Sequence, residues 1–529
     1  MVEQVPGVQA AVQALLPFLT DRQFDADKIN RFTALCDALR RDLPLDARIA
    51  LAEQLRREAP TGDTVRLHSV LFHLTGDLYH LERILHYLIM GGDEVAPELL
   101  HYTYWCVSRQ MFMGAAATAP EKAAAFGPCD VHRFYEHMVR LIARRWGAVP
   151  PRREPKPGPI RRVAVVTNQF TSDRHQPSRD CFDYAARLQE AGLEVAIINT
   201  NMMPLRIENI YIPPMVAELV EQYEGVHAIE MFGRRVRMAS FTGRAFSREK
   251  MHEVLEAIDG YDPDVLVTFG GSVIAADLFA EAGARPVVTL PTTSGLTFSL
   301  AHIVLGYDEH DHTQSIPALY RAPFARRFRP FSFGFTLPPT AGAGGDFGLG
   351  DAGFVFAVVG TRLDQEVDAG FLALAEDVLD RCPDAVIAFA GPVGDLPGRL
   401  AASRHAARLR ALGHLNDIRA FYGRVGAFLN PPRQGGGGSA AFAIGEGVPV
   451  VTLPSGDVAS VAGPEFHAAD RAAYAARAAA LCADRDFRAA QSAAARARYD
   501  GVVDRRHSVQ RLLDYCEEAR RLVAAGVRN

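Results

Sequence analysis

Residues 430–451 read NPPRQGGGGSAAFAIGEGVPVV, and the order of their parts decides the fold. AFLNP (427–431) is a short apolar strand, four glycines follow at 435–438, Ser439 opens a helix, and Gly447 to Pro449 turns the chain back into VPVVTLP (448–454). A buried strand, a tight loop, a helix and a second buried strand make one unit of a parallel sheet with covered faces. Glycines at a helix N-terminus let backbone N–H groups approach an anion, and the helix dipole adds about half a positive charge there. The stretch therefore predicts a diphosphate cradle. It is neither G-x-G-x-x-G after a first strand nor G-x-x-x-x-G-K-[ST], which argues against a dinucleotide oxidoreductase or an NTPase.

The same alternation extends in both directions. FVFAVVG (354–360) and AVIAFAG (385–391) join the two strands above in a doubly wound unit over 337–529, whose Ala- and Arg-rich tail (469–525) reads as helix. LPPTAGAGGDFGLGDAG (337–353) reads as the connection to an earlier unit over 162–336. Its elements are strand RVAVVTN (162–168), helix 178–192, strand LEVAIINTN (193–201), helix 247–259, strand DVLVTFGG (264–271), a helix after Ser272, and strands PVVTLP (286–291) and HIVLGYD (302–308). Upstream, VPPRREPKPGPIRR (149–162) has little to bury and several φ-restricted prolines, so 151–161 reads as a semi-rigid linker. Residues 1–150 read as an all-helical domain, with Leu67, Val70, Leu71, Leu74, Leu78, Leu81 and Leu85 at three- and four-residue spacing. The predicted fold class is α/β: two Rossmann-like units facing across a cleft, with ligand at the carboxyl ends of their strands.

Composition narrows the function. The 529 residues are 48% hydrophobic and 22% charged, enough for several compact soluble units. With 57 Lys and Arg against 62 Asp and Glu the net charge is -5, so no general positive field exists to hold nucleic acid. Seven cysteines without a Cys-x-x-Cys pair fit reduced thiols in a cytoplasm. The start MVEQVPGVQA lacks a basic segment followed by an apolar core, and the apolar run at 354–359 is far too short to span a bilayer. Neither export nor membrane insertion is expected.

From the linker onward the chain resembles the GT-B glycosyltransferases, and within them the O-GlcNAc transferase and SPINDLY group and the bacterial cytoplasmic N-glycosyltransferases. LNPPRQGGGGS is similar to their strand ending in Leu-Asn/Asp-Pro and the loop that binds the UDP diphosphate, which puts Gly437, Gly438 and Ser439 on that loop. VVTLPSGDVASVAG (450–463) resembles a second family segment, with Asp457 at its acidic position. RPVVTLPTTSG (285–295), with Thr293, Ser294 and Gly295, and the strand ending in Asp308 resemble a third, on the acceptor side of the cleft. The family's phosphate lysine falls near VGTRLDQEVD (359–368), where Arg362 or Gln365 stands instead, and His414 matches a histidine that stacks on uracil. Phe442 replaces the ribose-binding acid. Gln434 and Phe442 occupy the places where retaining relatives carry two glutamates, which disfavours a retaining mechanism of that kind.

The resemblance implies transfer of a sugar from a nucleotide-diphosphate donor, UDP by preference, by an inverting mechanism that needs no metal or other cofactor. His175, in TNQFTSDRHQPSRD (167–180), lies where related enzymes carry a histidine facing the acceptor, and an imidazole titrating near neutral pH suits a general base. Asp173 is the reserve base; both residues read equally well as helix caps. DEHDH (308–312) alternates carboxylates and histidines, yet neighbours in one loop rarely all face one ion, so no metal site is predicted. The helical domain implies a protein acceptor or partner, or a structural prop. A glycan or small-molecule acceptor, and an inactive GT-B module, stay open as alternatives, and a homo-oligomer fits as well as a monomer.

Overall fold

Between Val8 and Trp146 the described chain is helical: α1 (Val8–Thr20), α2 (Ala26–Asp42), α3 (Leu45–Glu58), α4 (Thr64–Thr75), α5 (Leu78–Met90), α6 (Pro97–Met113) and α7 (Val131–Trp146). The structure, a computed structural model, describes residues 8–20, 26–59, 64–113, 131–154, 156–172, 175–202, 223–241, 246–293, 297–308, 326–340, 345 and 347–526. The three- and four-residue spacing selects the inner faces, so Leu81, Ile84, Leu85 and Leu88 of α5 are all buried. Asp77 caps that helix by accepting a hydrogen bond from Tyr79 N at 2.9 Å.

These helices do not share one core. Val12, Leu15, Leu51, Leu55, Val70 and Leu71 form a cluster of their own, whereas Leu81, Tyr135, Met138 and Ile142 pack in one cluster with Ala164, Val166, Leu266 and Val304 of the sheet that follows. Residues 1–150, read from the sequence as one domain, thus divide between two cores. The reason lies in α7, where Val131, Phe134, Tyr135, Met138, Val139, Leu141 and Ile142 are buried, more apolar surface than one neighbouring layer can cover. Polar contacts fix the seam: Tyr135 Oη donates to Asp277 Oδ2 at 2.5 Å, and Arg140 pairs with Glu281 at 2.9 Å. The proline-rich connection is anchored to the same unit through Arg153 and Asp259 (2.6 Å) and Lys156 and Asp262 (2.7 Å).

The first sheet unit runs β1 (Arg162–Thr167), α8 (Gln176–Glu190), β2 (Glu194–Asn199), β3 (Gly225–Met231), β4 (Arg234–Ser240), α9 (Arg248–Tyr261), β5 (Val265–Phe269), α10 (Ile274–Glu281), β6 (Val287–Leu290), β7 (Ile303–Leu305) and β8 (Phe328–Arg329). Its order is β3-β4-β2-β1-β5-β6-β7-β8, parallel except for the β3–β4 hairpin. The second runs β9 (Phe354–Val359), α11 (Leu363–Glu366), α12 (Ala369–Arg381), β10 (Ala385–Ala390), α13 (Leu396–Ala401), β11 (Leu409–Gly413), α14 (Ile418–Tyr422), β12 (Ala427–Leu429), α15 (Gly437–Gly445), β13 (Val450–Val451), α16 (Gly456–Ala462), α17 (Arg471–Ala483), α18 (Arg485–Arg498) and α19 (Arg505–Ala524). Its order is β11-β10-β9-β12-β13, with every pairing parallel. Among the described residues no helix is long and apolar enough to cross a membrane.

One element departs from its expected place. The sequence reading assigns 337–529 to the second unit, but α19 leaves α18 through the π-helical turn Tyr499–Val503 and packs on α8, β5 and β6 of the first. Its buried face, with Leu512, Cys516 and Ala519, belongs to a core that also holds Val163 and Val265. At its first turn Arg505, 1% exposed, donates to Asp183 Oδ2 at 2.8 Å and Gly334 O at 2.9 Å, pairs with Asp180, and lies 4.5 Å over the Tyr184 ring. A buried guanidinium needs such a set of acceptors, and α8 supplies both carboxylates.

Candidate functional site

Strands β9 and β12 lie side by side and end on one edge of the second sheet, so Gly360 and Asn430, the residues that follow them, stand at the start of the glycine loop. Asn430 is held from two sides: Nδ2 donates to Thr452 Oγ1 at 3.0 Å, and its carbonyl accepts from Tyr474 Oη at 3.1 Å. Three residues on, Arg433 turns back beneath the loop. It donates from Nε to Asn430 Oδ1 (2.8 Å), from Nη1 to Glu366 Oε2 (2.8 Å) and from Nη2 to Val359 O (2.9 Å). Its guanidinium occupies the space that side chains on the loop would need. A methyl group on Gly436 would fall 2.5 Å from Arg433 Cζ, and one on Gly360 2.5 Å from Nη1. Gly436 also has φ +99°, a conformation that favours glycine, and forms the N-cap of α15.

Arg362 completes the floor. It donates to Glu366 Oε1 through Nε (3.1 Å) and Nη2 (2.8 Å), and a methyl group on Gly435 would meet its Nη2 at 2.6 Å. Burial pushes the Glu366 carboxyl up, but the Arg433 and Arg362 guanidiniums outweigh it and hold the group below the ordinary carboxylate range. Two cations, one anion and the positive end of a helix dipole leave a net positive charge at the N-terminus of α15, the chemistry of an anion site.

On the opposite half, β1 ends at Thr167, and Asn168 Nδ2 donates to Ser272 O at 2.9 Å. The chain then reaches His175, the N-cap of α8. His175 Nδ1 lies 2.8 Å from the buried Ser178 Oγ, which accepts from Thr171 N at 2.9 Å, so the ring is fixed by its own helix. Next to it, Gln176 Nε2 donates to Asp180 Oδ2 at 3.0 Å. Burial pushes the Asp180 carboxyl up against the pull of Arg505, whereas Arg505, Thr336 and Arg234 overcome burial at Asp183 and hold it below the ordinary value.

The two halves meet at the glycine loop. A methyl group on Gly438 would lie 3.3 Å from Gln176 Cδ, and one on Gly437 would overlap the hydroxyl of Tyr307, which follows β7, while lying 3.2 Å from Asp457 Cβ. Tyr307 is buried and stacked on Phe333, with ring centroids 5.3 Å apart. Burial, with Asp457 and Asp180 adding to it, pushes its phenol far up, so it stays protonated. Gly437→Ala is therefore expected to destabilise the protein by about 1–3 kcal/mol through overpacking, although alanine exceeds glycine in helix propensity by about 1 kcal/mol. Chemical denaturation should show Tyr307→Phe recovering at least half of that loss; no recovery would remove the hydroxyl as its cause.

The other expected residues fall as follows. Ser439 lies half-buried in the first turn of α15, its carbonyl accepting from Tyr422 Oη at 2.9 Å. Asp457 is buried behind the loop in α16, with its N–H donating to Gln434 O at 3.0 Å. Gln365 is exposed on α11. His414 is exposed after β11, three strands from β12 and so about 14 Å along the same edge. Thr293 follows β6, half-buried, and Asp308 follows Tyr307 with its Oδ1 buried and without a hydrogen-bond partner among the described residues. Phe442 is buried in the core. Asp173, Ser294, Gly295 and 309–312 of DEHDH lie outside the described residues, among which no group of three His, Cys, Asp or Glu side chains could hold a metal ion. Sequence reasoning passed over Arg433, Glu366, Gln176 and Tyr307. Only Arg433 carried a local signal, an arginine two residues before a run of glycines.

No protein-family model and no curated protein sequence matches this chain. Solved structures do. An O-GlcNAc transferase variant from Thermobaculum terrenum superposes with a TM-score of 0.56 at 17% identity, over 99% of both chains. A glycosyltransferase from Rickettsia africae (TM-score 0.48, 10% identity) and Anabaena HepE in complex with UDP and glucose (0.43, 14%) each cover 68% of this chain, and 99% and 100% of their own. The end-to-end likeness to the first, with the two parallel sheets and the helices that precede them, gives this chain the GT-B fold: two Rossmann-like units facing across a cleft behind a helical N-terminal region.

Proposed function

We propose that this chain is a glycosyltransferase that moves a sugar from a UDP-sugar to a nucleophilic protein side chain, with inversion at the anomeric carbon and without a metal ion. The observation that carries the reading is the meeting of the halves at the glycine loop: the positive first turn of α15 touches Gln176, the neighbour of His175. A diphosphate on 437–439 would thereby lie against the residue that follows His175 in the opposite half.

On this reading the acceptor oxygen or nitrogen forms its bond to the anomeric carbon as the bond to the diphosphate breaks. The charge growing on the diphosphate meets the α15 amides, Arg362 and Arg433. His175 takes the acceptor proton; in the tautomer whose Nδ1–H donates to Ser178 Oγ, the lone pair that receives it is on Nε2. The likeness to an O-GlcNAc transferase over 99% of the chain, helices included, supports a protein acceptor. The cluster of α1 to α4, separate from the sheet unit, is where that acceptor or a partner would be recruited. The six described cysteines are free thiols, in keeping with a cytoplasmic setting. One observation favours a second reading, an inactive module that binds a nucleotide: Phe442, buried in α15, offers no acceptor to a ribose hydroxyl.

Calorimetric titration with UDP, GDP and NAD tests the reading, with Ser439→Trp to fill the cradle and His175→Ala to remove the base. UDP alone should bind, Ser439→Trp should abolish binding, and His175→Ala should keep UDP affinity while transfer falls by about a hundredfold. Failure of UDP to bind the unaltered protein would sink the proposal. UDP binding without transfer from any UDP-sugar would select the inactive module.

A further inference from the structure

Gln176 is a half-buried polar side chain of α8 that reaches the glycine loop, and its orientation is set from behind. Arg505 pairs with Asp180, Asp180 Oδ2 accepts from Gln176 Nε2 at 3.0 Å, and the carboxamide then lies over Gly438, where a methyl group would be 3.3 Å from Cδ and 3.6 Å from Nε2. A carboxylate that faces a guanidinium accepts hydrogen bonds and cannot donate them, so it fixes which end of the amide it meets. Nε2 carries two hydrogens and Asp180 uses one. The chain Arg505, Asp180, Gln176 begins on α19, crosses α8 and ends at the first turn of α15, so it joins the helix that ties the halves together to the loop at which they meet.

We propose that Gln176 is a donor-binding residue contributed by the acceptor half: its second amide hydrogen bonds a phosphate oxygen of the nucleotide-sugar on the glycine loop, and Asp180 is the positioning residue that aims it. The inference rests on the proposed donor site at 437–439 and adds a contact to it. Gly438 leaves the carboxamide room, since a methyl group there would already crowd its Cδ at 3.3 Å. The donor is then gripped from both sides, and closure of the cleft and binding of the diphosphate favour each other.

UDP titration of Gln176→Met, Gln176→Glu and Asp180→Asn tests this. Methionine keeps the shape and the contact with Gly438 but cannot donate, so Gln176→Met should bind UDP about tenfold more weakly, the worth of a hydrogen bond to a charged group. Gln176→Glu sets a carboxylate against the phosphates and should weaken binding further. Asp180→Asn should weaken UDP binding on its own and add nothing once Gln176 is methionine, a non-additivity that a purely structural loss would not produce. If UDP binds the unaltered protein and Gln176→Met equally, the proposal is overturned while the donor site stands. If UDP does not bind the unaltered protein, the donor site fails and this contact with it.

Discussion

Replacing Arg505 with methionine is expected to lower the unfolding free energy by about 3–5 kcal/mol at neutral pH, with the deficit shrinking as the pH falls. Methionine keeps most of the packing over Tyr184 and removes the charge. Asp180 and Asp183, with side chains 8% and 7% exposed, then lie close together in a buried site. Asp183 keeps Arg234 at 2.6 Å, so Asp180 is the carboxylate left without a counter-charge. The pH dependence follows from the direction of each shift. In the unaltered protein Asp183 is held below its unfolded value, which contributes stability above that value and loses it as acid protonates the group. Asp180 is already raised by burial, and without Arg505 it rises further, so the variant regains stability when the carboxyl protonates. The two stability curves converge toward acid pH. Urea denaturation at several pH values checks this, and a deficit below about 1 kcal/mol, or one that does not change with pH, would refute the role given to the charge.

Much of the fold was legible because its strands are buried on both faces. Val163 to Val166, Val265 to Phe269, Phe354 to Val359 and Ala385 to Ala390 are continuous apolar runs, the pattern a covered parallel strand must have, and each is a strand in the structure. The β3–β4 hairpin was missed for the converse reason. It lies at the sheet edge, with Val236 and Met238 inside and Arg235 and Arg237 outside, so its signal was alternation in a polar stretch and not an apolar run. The crossing of α19 was not legible at all. Periodicity shows that a helix has an inner face; it does not show which sheet covers that face, and the partners of Arg505 lie 322 and 325 residues away.

The site divides in the same way. The glycine run announced that backbone can approach an anion, yet each glycine answers to a different neighbour: Gly435 to Arg362, Gly436 to Arg433, Gly437 to Tyr307 and Gly438 to Gln176. Two of these come from within the same half and two from across the cleft, and a local pattern records none of the four. Arg362, taken from the resemblance as a phosphate ligand, is paired in the structure, since both it and Arg433 hold Glu366.

That shared carboxylate makes Arg433 the other position of large effect. Arg433→Met is expected to cost about 3–5 kcal/mol, because it strands part of a buried ion pair and leaves Asn430 Oδ1 and Val359 O without their donor. Arg433→Lys should recover little. Its three acceptors lie around a planar fork, on Asn430, Val359 and Glu366, and a single ammonium cannot reach them together. The double variant separates charge from packing: with Glu366→Gln in place no carboxylate is stranded, and the cost of Arg433→Met should fall by about 1–3 kcal/mol. Urea denaturation of the four proteins measures this coupling, and strict additivity would show that Arg433 acts only as a filler beneath the loop. Function should follow stability only in part. If the proposed donor site holds, conditions that keep Arg433→Met folded should still find it deficient in UDP binding, because the charge under the first turn of α15 has been removed while the glycines of the loop remain.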